Sequence, residues 1–276
     1  MNKKTHLKKK ALFPDNLNNF LGSDEAVSEV LDFITIVGIL ILSLSLIGVA
    51  GYPVLKSTQE TRYIENTRQT FVVMAENINK VVMGQTPSQN IEVKMYGGEL
   101  SVRGDSTINI TANSTNQTTK VIERIVLVDQ QMRSIENTVG DTVVAYEGTG
   151  VWVKYPNGFV YNSYKPLITN VGNVIVIPVV KIGGLSSSAG SGMSRIKAKG
   201  VPGITYYPNV SDLRVNINSS YKGNSQVSRK NGWEGYFESM TDWKVSVGDT
   251  SYLAGLNTSS NVDVYILNVQ MDVVVE

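Results

Sequence analysis

Apolar and polar positions follow three different rhythms along this chain. From Phe33 to Ala50 no charge interrupts an apolar run. As a helix rising about 1.5 Å per residue, that run extends roughly 27 Å, close to the hydrocarbon thickness of a bilayer. Past Gly51-Tyr52-Pro53 the rhythm becomes that of a helix with one apolar face: Ile64, Phe71, Met74, Ala75, Ile78, Val81 and Val82 share it, and Gln59, Glu60, Arg62, Glu65, Arg68 and Asn79 fall mostly elsewhere. Gly84 and then Pro87 supply a stop. The pattern predicts one nearly continuous helix from about Ala26 to Met83, kinked near Pro53, where the ring removes a backbone donor.

From Ile91 onward the period falls to two, with breaks at Gly, Asn, Asp and Ser. "IEVKMYGGELSVRGDSTINIT" gives three strands, and "KVIERIVLVD", "TVVAYE", "GVWVKYPNGFVY", "NVIVIPVVKI", "SRIKAKG", "GITYYP", "LRVNIN", "DWKVSVG" and "VDVYILNVQMDVVV" continue the series. Asn157-Gly158 is the clearest hairpin turn, since both residue types tolerate positive φ. In "NSQVSRKNGWEGYFESM" one short helix is expected, with Asn224 or Ser225 as its cap and Trp233, Tyr236, Phe237 and Met240 on the face it packs against the sheet. The fold class is α+β: a long N-terminal helix followed by a mainly β, sandwich-like exterior domain. The expected organisation is a basic leader over 1–26, the helix over 27–84 and the β-rich domain over 85–276.

Charge adds a direction. Lys3, Lys4, Lys8, Lys9 and Lys10 precede the apolar run and nothing comparable follows it, so the N-terminus is expected in the cytoplasm and the C-terminal domain outside. A cleaved secretory signal is the rival reading, but Ala50-Gly51 leading into Tyr52-Pro53 is a poor cleavage site after the run. The overall formal charge of +1 gives no bias toward nucleic acid.

Composition then removes chemistries. There is no cysteine, and the single histidine is His6 in the leader. The exterior domain therefore cannot build disulfides, His/Cys zinc sites, Ser-His-Asp triads or Cys-His dyads. "GGLSSSAGSGMS" lacks the Gly-Lys-Ser/Thr ending of a phosphate loop and is expected to be a flexible connection. No EF-hand-like acidic run occurs. The sequence carries no enzyme signature and implies no cofactor. Arg103-Gly104-Asp105 fits a tight hairpin turn on geometry alone. Asn109, Asn113, Asn116, Asn209, Asn218 and Asn257 each open an Asn-x-Ser/Thr acceptor, and the polar cluster "NITANSTNQTT" suits glycosylation of an exterior domain.

The segment "DEAVSEVLDFITIVGILILSLSLIGVA" resembles the N-terminal segment of archaeal type IV pilins. Those proteins carry class III signal peptides with Ala-Val-Ser-Pro-Val-Ile-Gly ahead of a long apolar helix. Asp24, Glu25, Ala26, Val27, Ser28 and Val30 match; Glu29 stands where that family usually has Pro, and Asp32 where it usually has Gly. The resemblance implies a prepilin peptidase cutting on the cytoplasmic side of the apolar run, between Ala26 and Val27 or between Gly22 and Ser23, which removes the lysines and keeps the helix. Glu29 and Asp32 then either pair with the new N-terminal amine of a neighbouring subunit or sit at headgroup level beside the helix N-terminus. The resemblance further implies copies of itself or other pilin-like subunits as partners, with Ile64, Phe71 and Ile78 as assembly residues. Two functions remain open: a pilin-like or pseudopilin-like subunit of a surface filament, or a single-pass surface protein whose headpiece binds a partner or an envelope glycan.

Overall fold

The structure, a computed structural model, describes residues 24–116, 118–184, 186–223, 231–246 and 253–276, with backbone only for 24–27. The predicted helix is present as α1 (Asp24–Val82), which continues through Pro53. It ends where glycine was expected to end it. Gly84 takes φ +71°, its N–H donates to the Val81 carbonyl (3.0 Å), and the Gln85 N–H donates to that of Lys80 (2.8 Å). This is the Schellman arrangement that satisfies the last carbonyls of a helix. The chain divides into two compact units, Met1–Thr58 and Gln59–Glu276, with the boundary inside α1.

The second unit, the headpiece, contains two sheets. One runs in the order β11 (Ser187–Gly190), β2 (Gly98–Arg103), β5 (Ser134–Val139), β6 (Thr142–Glu147), β7 (Gly150–Lys154), β8 (Val160–Tyr164). The other is nine-stranded and follows β13 (Trp243–Val245), β14 (Ala254–Leu256), β12 (Met193–Asn218), β15 (Val262–Val275), β10 (Val174–Gly183), β9 (Thr169–Val171). In addition, β1 (Ser88–Lys94) and β3 (Thr107–Thr115) pair with β12, and β4 (Ile122–Gln131) with β3.

Both sheets carry a core on each face. Along β10, Ile175, Ile177 and Val179 enter one core and Val180 and Ile182 the other. Adjacent strand residues point to opposite faces, so the strand hands its burial from one side to the other between Val179 and Val180. In β15 the same exchange separates Val262, Val264 and Ile266 from Val269, Met271, Val273 and Val275. This explains why β10 reads as a nearly unbroken apolar run, while β15 alternates with Asp263, Asn268, Gln270 and Asp272. The first core is closed by β3, β4 and the short helix α2 (Gly232–Glu238), the second by α1, β1, β2 and β5.

Four expectations change. "SRIKAKG", "GITYYP" and "LRVNIN" are not three strands but one, β12, 26 residues long. Arg195 exchanges both backbone bonds with Glu276, just past the end of β15, whereas the Gly200 N–H turns the other way, to Pro87. Up to Tyr207 even-numbered residues therefore face away from β15, so the missing donor of Pro202 falls on the open edge and leaves the ladder intact, while Pro208 lies in the register shift between Tyr207 and Val210. The Gly/Ser segment is not wholly a loop, since β11 pairs with β2. Arg103-Gly104-Asp105 is not a hairpin: β2 and β3 lie in different sheets, and Gly104 (φ +101°) turns the corner between them. The short helix starts at Gly232 with Asn231 at its N-cap position; Asn224 and Ser225 lie outside the described residues.

Candidate functional site

Over residues 33–55 α1 carries no charge and is apolar on every side, and the chain itself buries none of the helix's most apolar window. It is the one described helix long and apolar enough to cross a membrane. Phe33, Leu44 and Ile47 are each about two-thirds exposed. The few polar side chains in this stretch bond inward. Thr35, Ser43 and Ser45 donate to the carbonyls of Leu31, Ile39 and Ile41, each at 2.7 Å, as lipid surroundings would require. Glu29 and Asp32 are exposed at the start of the run. Of the expected processing positions, Ala26 and Val27 belong to α1, and Gly22 and Ser23, like the leader lysines, lie outside the described residues.

The other half of the helix behaves differently, and it holds the three hydrophobic residues expected to serve assembly. Phe71 and Ile78 are fully buried in the headpiece's second core, with Met74, Ala75 and Val82, and Ile64 packs against that core. The apolar stripe is covered by the chain's own strands, which leaves Phe71 and Ile78 no exposed surface and Ile64 half-buried. Asn79 fixes the helix to the β6–β7 hairpin. Its Nδ2 donates to the Thr149 carbonyl (3.0 Å) and its Oδ1 accepts from the Tyr146 hydroxyl (2.9 Å). Gly148 (φ +55°) and Thr149 (φ +68°) make that turn with two left-handed residues, the form whose twist suits a two-residue hairpin. At "YPNG", by contrast, Gly158 takes positive φ (+84°) and Asn157 does not. There the Asn157 Oδ1 accepts the Phe159 N–H at 3.0 Å.

Beside the β6–β7 turn lies the least expected group, Glu147, whose side chain is fully buried. Its carboxyl accepts from the hydroxyls of Ser106 and Ser219, each at 2.6 Å, and from the indole N–H of Trp233 at 3.0 Å. Burial pushes its pKa up, opposed by those three donors and with the Glu136 charge adding a small upward push. The aromatic face of α2 closes over it: Trp233 packs on Trp152 at 4.7 Å between centroids, and Phe237 on Tyr236 and Trp243 at 5.3 and 5.1 Å. The core role expected for Trp233, Tyr236 and Phe237 is what the fold shows. A single sequence gave no sign of Glu147, because the Ser, Ser and Trp that surround it come from three distant segments. On the surface the same residue type behaves in the opposite way. Hydrogen bonds from Arg68 and then Gln69 hold the Glu65 carboxyl down at about 2.

The acceptor asparagines separate by environment. Asn109 and Asn113 are half-buried on β3, and the Asn113 Oδ1 accepts from Arg124 (3.1 Å). The Asn116 Oδ1 accepts the N–H groups of Thr118 and Thr119 at 2.9 and 3.1 Å and so holds a turn. Asn209 is exposed at positive φ (+53°), its Oδ1 accepting from Asn261 at 3.0 Å. Asn218 and Asn257 are exposed. Among the described residues no group of three or more His, Cys, Asp or Glu side chains is arranged to hold a metal ion.

No curated protein and no solved structure matches this chain. The model of a family of unknown function, DUF7289, matches residues 25–274, a span that takes in the apolar helix and the headpiece together, and the chain belongs to that family.

Proposed function

We propose that the chain is a pilin-like or pseudopilin-like cell-surface subunit, held in the membrane by the first half of α1 with its leader in the cytoplasm and its headpiece outside. One observation carries the reading. A single helix is uncovered and apolar all round over 33–55, yet supplies Phe71, Met74, Ala75, Ile78 and Val82 to the headpiece core. Removing the apolar half as a signal would leave a helix whose remainder is indispensable to the fold, and the family match spans both halves. Supporting this are the match of Asp24 to Ser28 and Val30 to the pilin pattern and the five lysines ahead of it. A prepilin peptidase would then cut after Ala26 or after Gly22, and the uncovered helices of several subunits would pack together.

The burial of Phe71 and Ile78 favours a second reading, a single-pass surface protein that never polymerises and whose headpiece binds a partner or an envelope glycan. It leaves the uncovered apolar first half of α1 for any packing between subunits. Recovering the protein from its native cell surface, sequencing its N-terminus and sedimenting it separates the two. A chain beginning at Val27 or Ser23 in a sedimenting filament fraction is the expected result. An intact chain beginning at Met1, released only by detergent as a slowly sedimenting species, overturns the subunit reading and leaves the anchor.

A further inference from the structure

Next to Asn257 the headpiece has a cleft of about 330 Å³, within the usual range for small-molecule sites. Asn170, Gly172, Asp242, Leu256, Thr258 and Val262 line it together with Asn257. Its floor is polar and incompletely used. The Asn170 Nδ2 donates to an Asp242 carboxylate oxygen at 2.9 Å, while the Asn170 Oδ1 is buried with no protein partner. A buried amide oxygen without a donor is costly, and it marks a place for an incoming hydroxyl or N–H. The rim is rigid where it matters: the Asn257 N–H donates to the Asp242 carbonyl at 2.8 Å, and the Ser260 N–H to the Thr258 hydroxyl at 3.1 Å.

Asn257-Thr258-Ser259 is one of the six acceptor sequences. Its asparagine is exposed and its amide has no partner among the described residues, in contrast to the engaged amides of Asn113, Asn116 and Asn209. Asn218 is exposed as well, but it ends β12 opposite Thr107 and lines none of the described clefts. We propose that Asn257 carries an N-linked glycan whose first sugar ring lies in this cleft, one hydroxyl or N–H of the ring donating to the Asn170 Oδ1. The inference rests on the exterior placement of the headpiece argued above. The reaction needs a membrane transferase and a sugar donor linked to a polyprenyl phosphate. The Asn257 Nδ2 forms a bond to the sugar's anomeric carbon, the bond from that carbon to the donor's phosphate oxygen breaks with its electron pair on the phosphate, and the amide gives up one proton to a base. Once attached, the ring is held beside the cleft at high effective concentration, so weak polar contacts suffice to seat it.

The test uses the full chain purified from its native membrane, with glycopeptide mass spectrometry covering Asn257 and Asn218, and proteolysis of whole cells to establish which side the headpiece faces. Expected are a sugar mass on Asn257 in most molecules, its fall to less than a tenth of that occupancy in Ser259→Ala, and several-fold faster release by a glycan-removing amidase from native Asn170→Ala protein than from wild type. Release rates equal in the two proteins overturn the seating of the ring. A headpiece that is protease-accessible from outside but bare at Asn257 overturns the whole inference and spares the exterior reading. A protease-protected headpiece, bare at both asparagines, overturns that reading along with it. Binding of a free monosaccharide to a bare Asn257 chain, abolished by Asn170→Ala, would assign the cleft to a diffusible sugar and so overturn the linked form.

Discussion

Residues 28–58 and 59–82 belong to one helix, with fifteen valine, leucine and isoleucine residues in the first stretch and six in the second, and they meet opposite fates. In the first stretch Ile39, Leu42 and Ile47 are each about 60% exposed or more; in the second Phe71, Met74 and Ile78 are completely buried. The difference lies in number and in arrangement. An apolar residue at every helical angle leaves nowhere for water to face and asks for lipid or other helices, whereas an apolar stripe with a polar back asks for one flat partner. The headpiece supplies that partner from its own strands. One element can therefore carry two solvents' worth of instruction, and the boundary between them falls at Thr58 and Gln59.

The largest expected effect breaks the helix at that boundary. A chain beginning at Gln59 should leave the membrane fraction and become soluble without detergent, while its headpiece still unfolds in one cooperative transition by circular dichroism. Persistent membrane attachment would mean that the headpiece binds the bilayer itself. Next comes truncation inside each half. Phe71→Ala should cost about 3–5 kcal/mol of headpiece stability in denaturant titration, whereas Leu42→Ala should leave that stability unchanged because no headpiece atom covers it. Equal effects would abolish the contrast.

The buried carboxyl gives an effect of intermediate size. The folded-state pKa of Glu147 is raised, so between the unfolded carboxyl value, near 4.3, and the raised one the folded state holds more protons than the unfolded state. Stability contributed by this group is present in full below the unfolded value and is lost as pH rises through the folded one. Glu147→Gln should flatten that decline, with a change of about 1–3 kcal/mol in the neutral range. An unchanged slope of stability against pH in the variant would show that Glu147 is not the group responsible. The smallest effect belongs to Thr67, on the buried face of α1, whose hydroxyl is buried without a protein partner. Thr67→Val keeps the shape and removes the unpaired group, so melting should shift upward or stay level, within about 1 kcal/mol. A loss of several degrees would reveal a hydrogen bond in use.

Much of this was legible in the chain because it is local. Helix limits near Ala26 and Met83 follow from an apolar run, an amphipathic stripe and Gly84. Strand limits in "VDVYILNVQMDVVV" follow from period-two burial. What misled was also local. Pro202, Gly203 and Pro208 read as strand breaks, because proline's missing donor matters only if its side of the strand is paired, and that depends on where β1 and β3 stop. The Ser-rich 187–190 segment carries no apolar signal and is a strand only because β2 offers it an edge.

By itself, the sequence determined that a helix long enough to span a bilayer leads into a β-rich headpiece, since hydrophobic period and run length are properties of neighbouring residues. Tertiary structure alone decided that half of that helix is headpiece core, that β10 and β15 serve two cores on opposite faces, and that Glu147, Ser106, Ser219 and Trp233 meet. Burial and polar satisfaction depend on which distant segments arrive beside a residue, and the order of residues along the chain does not state that.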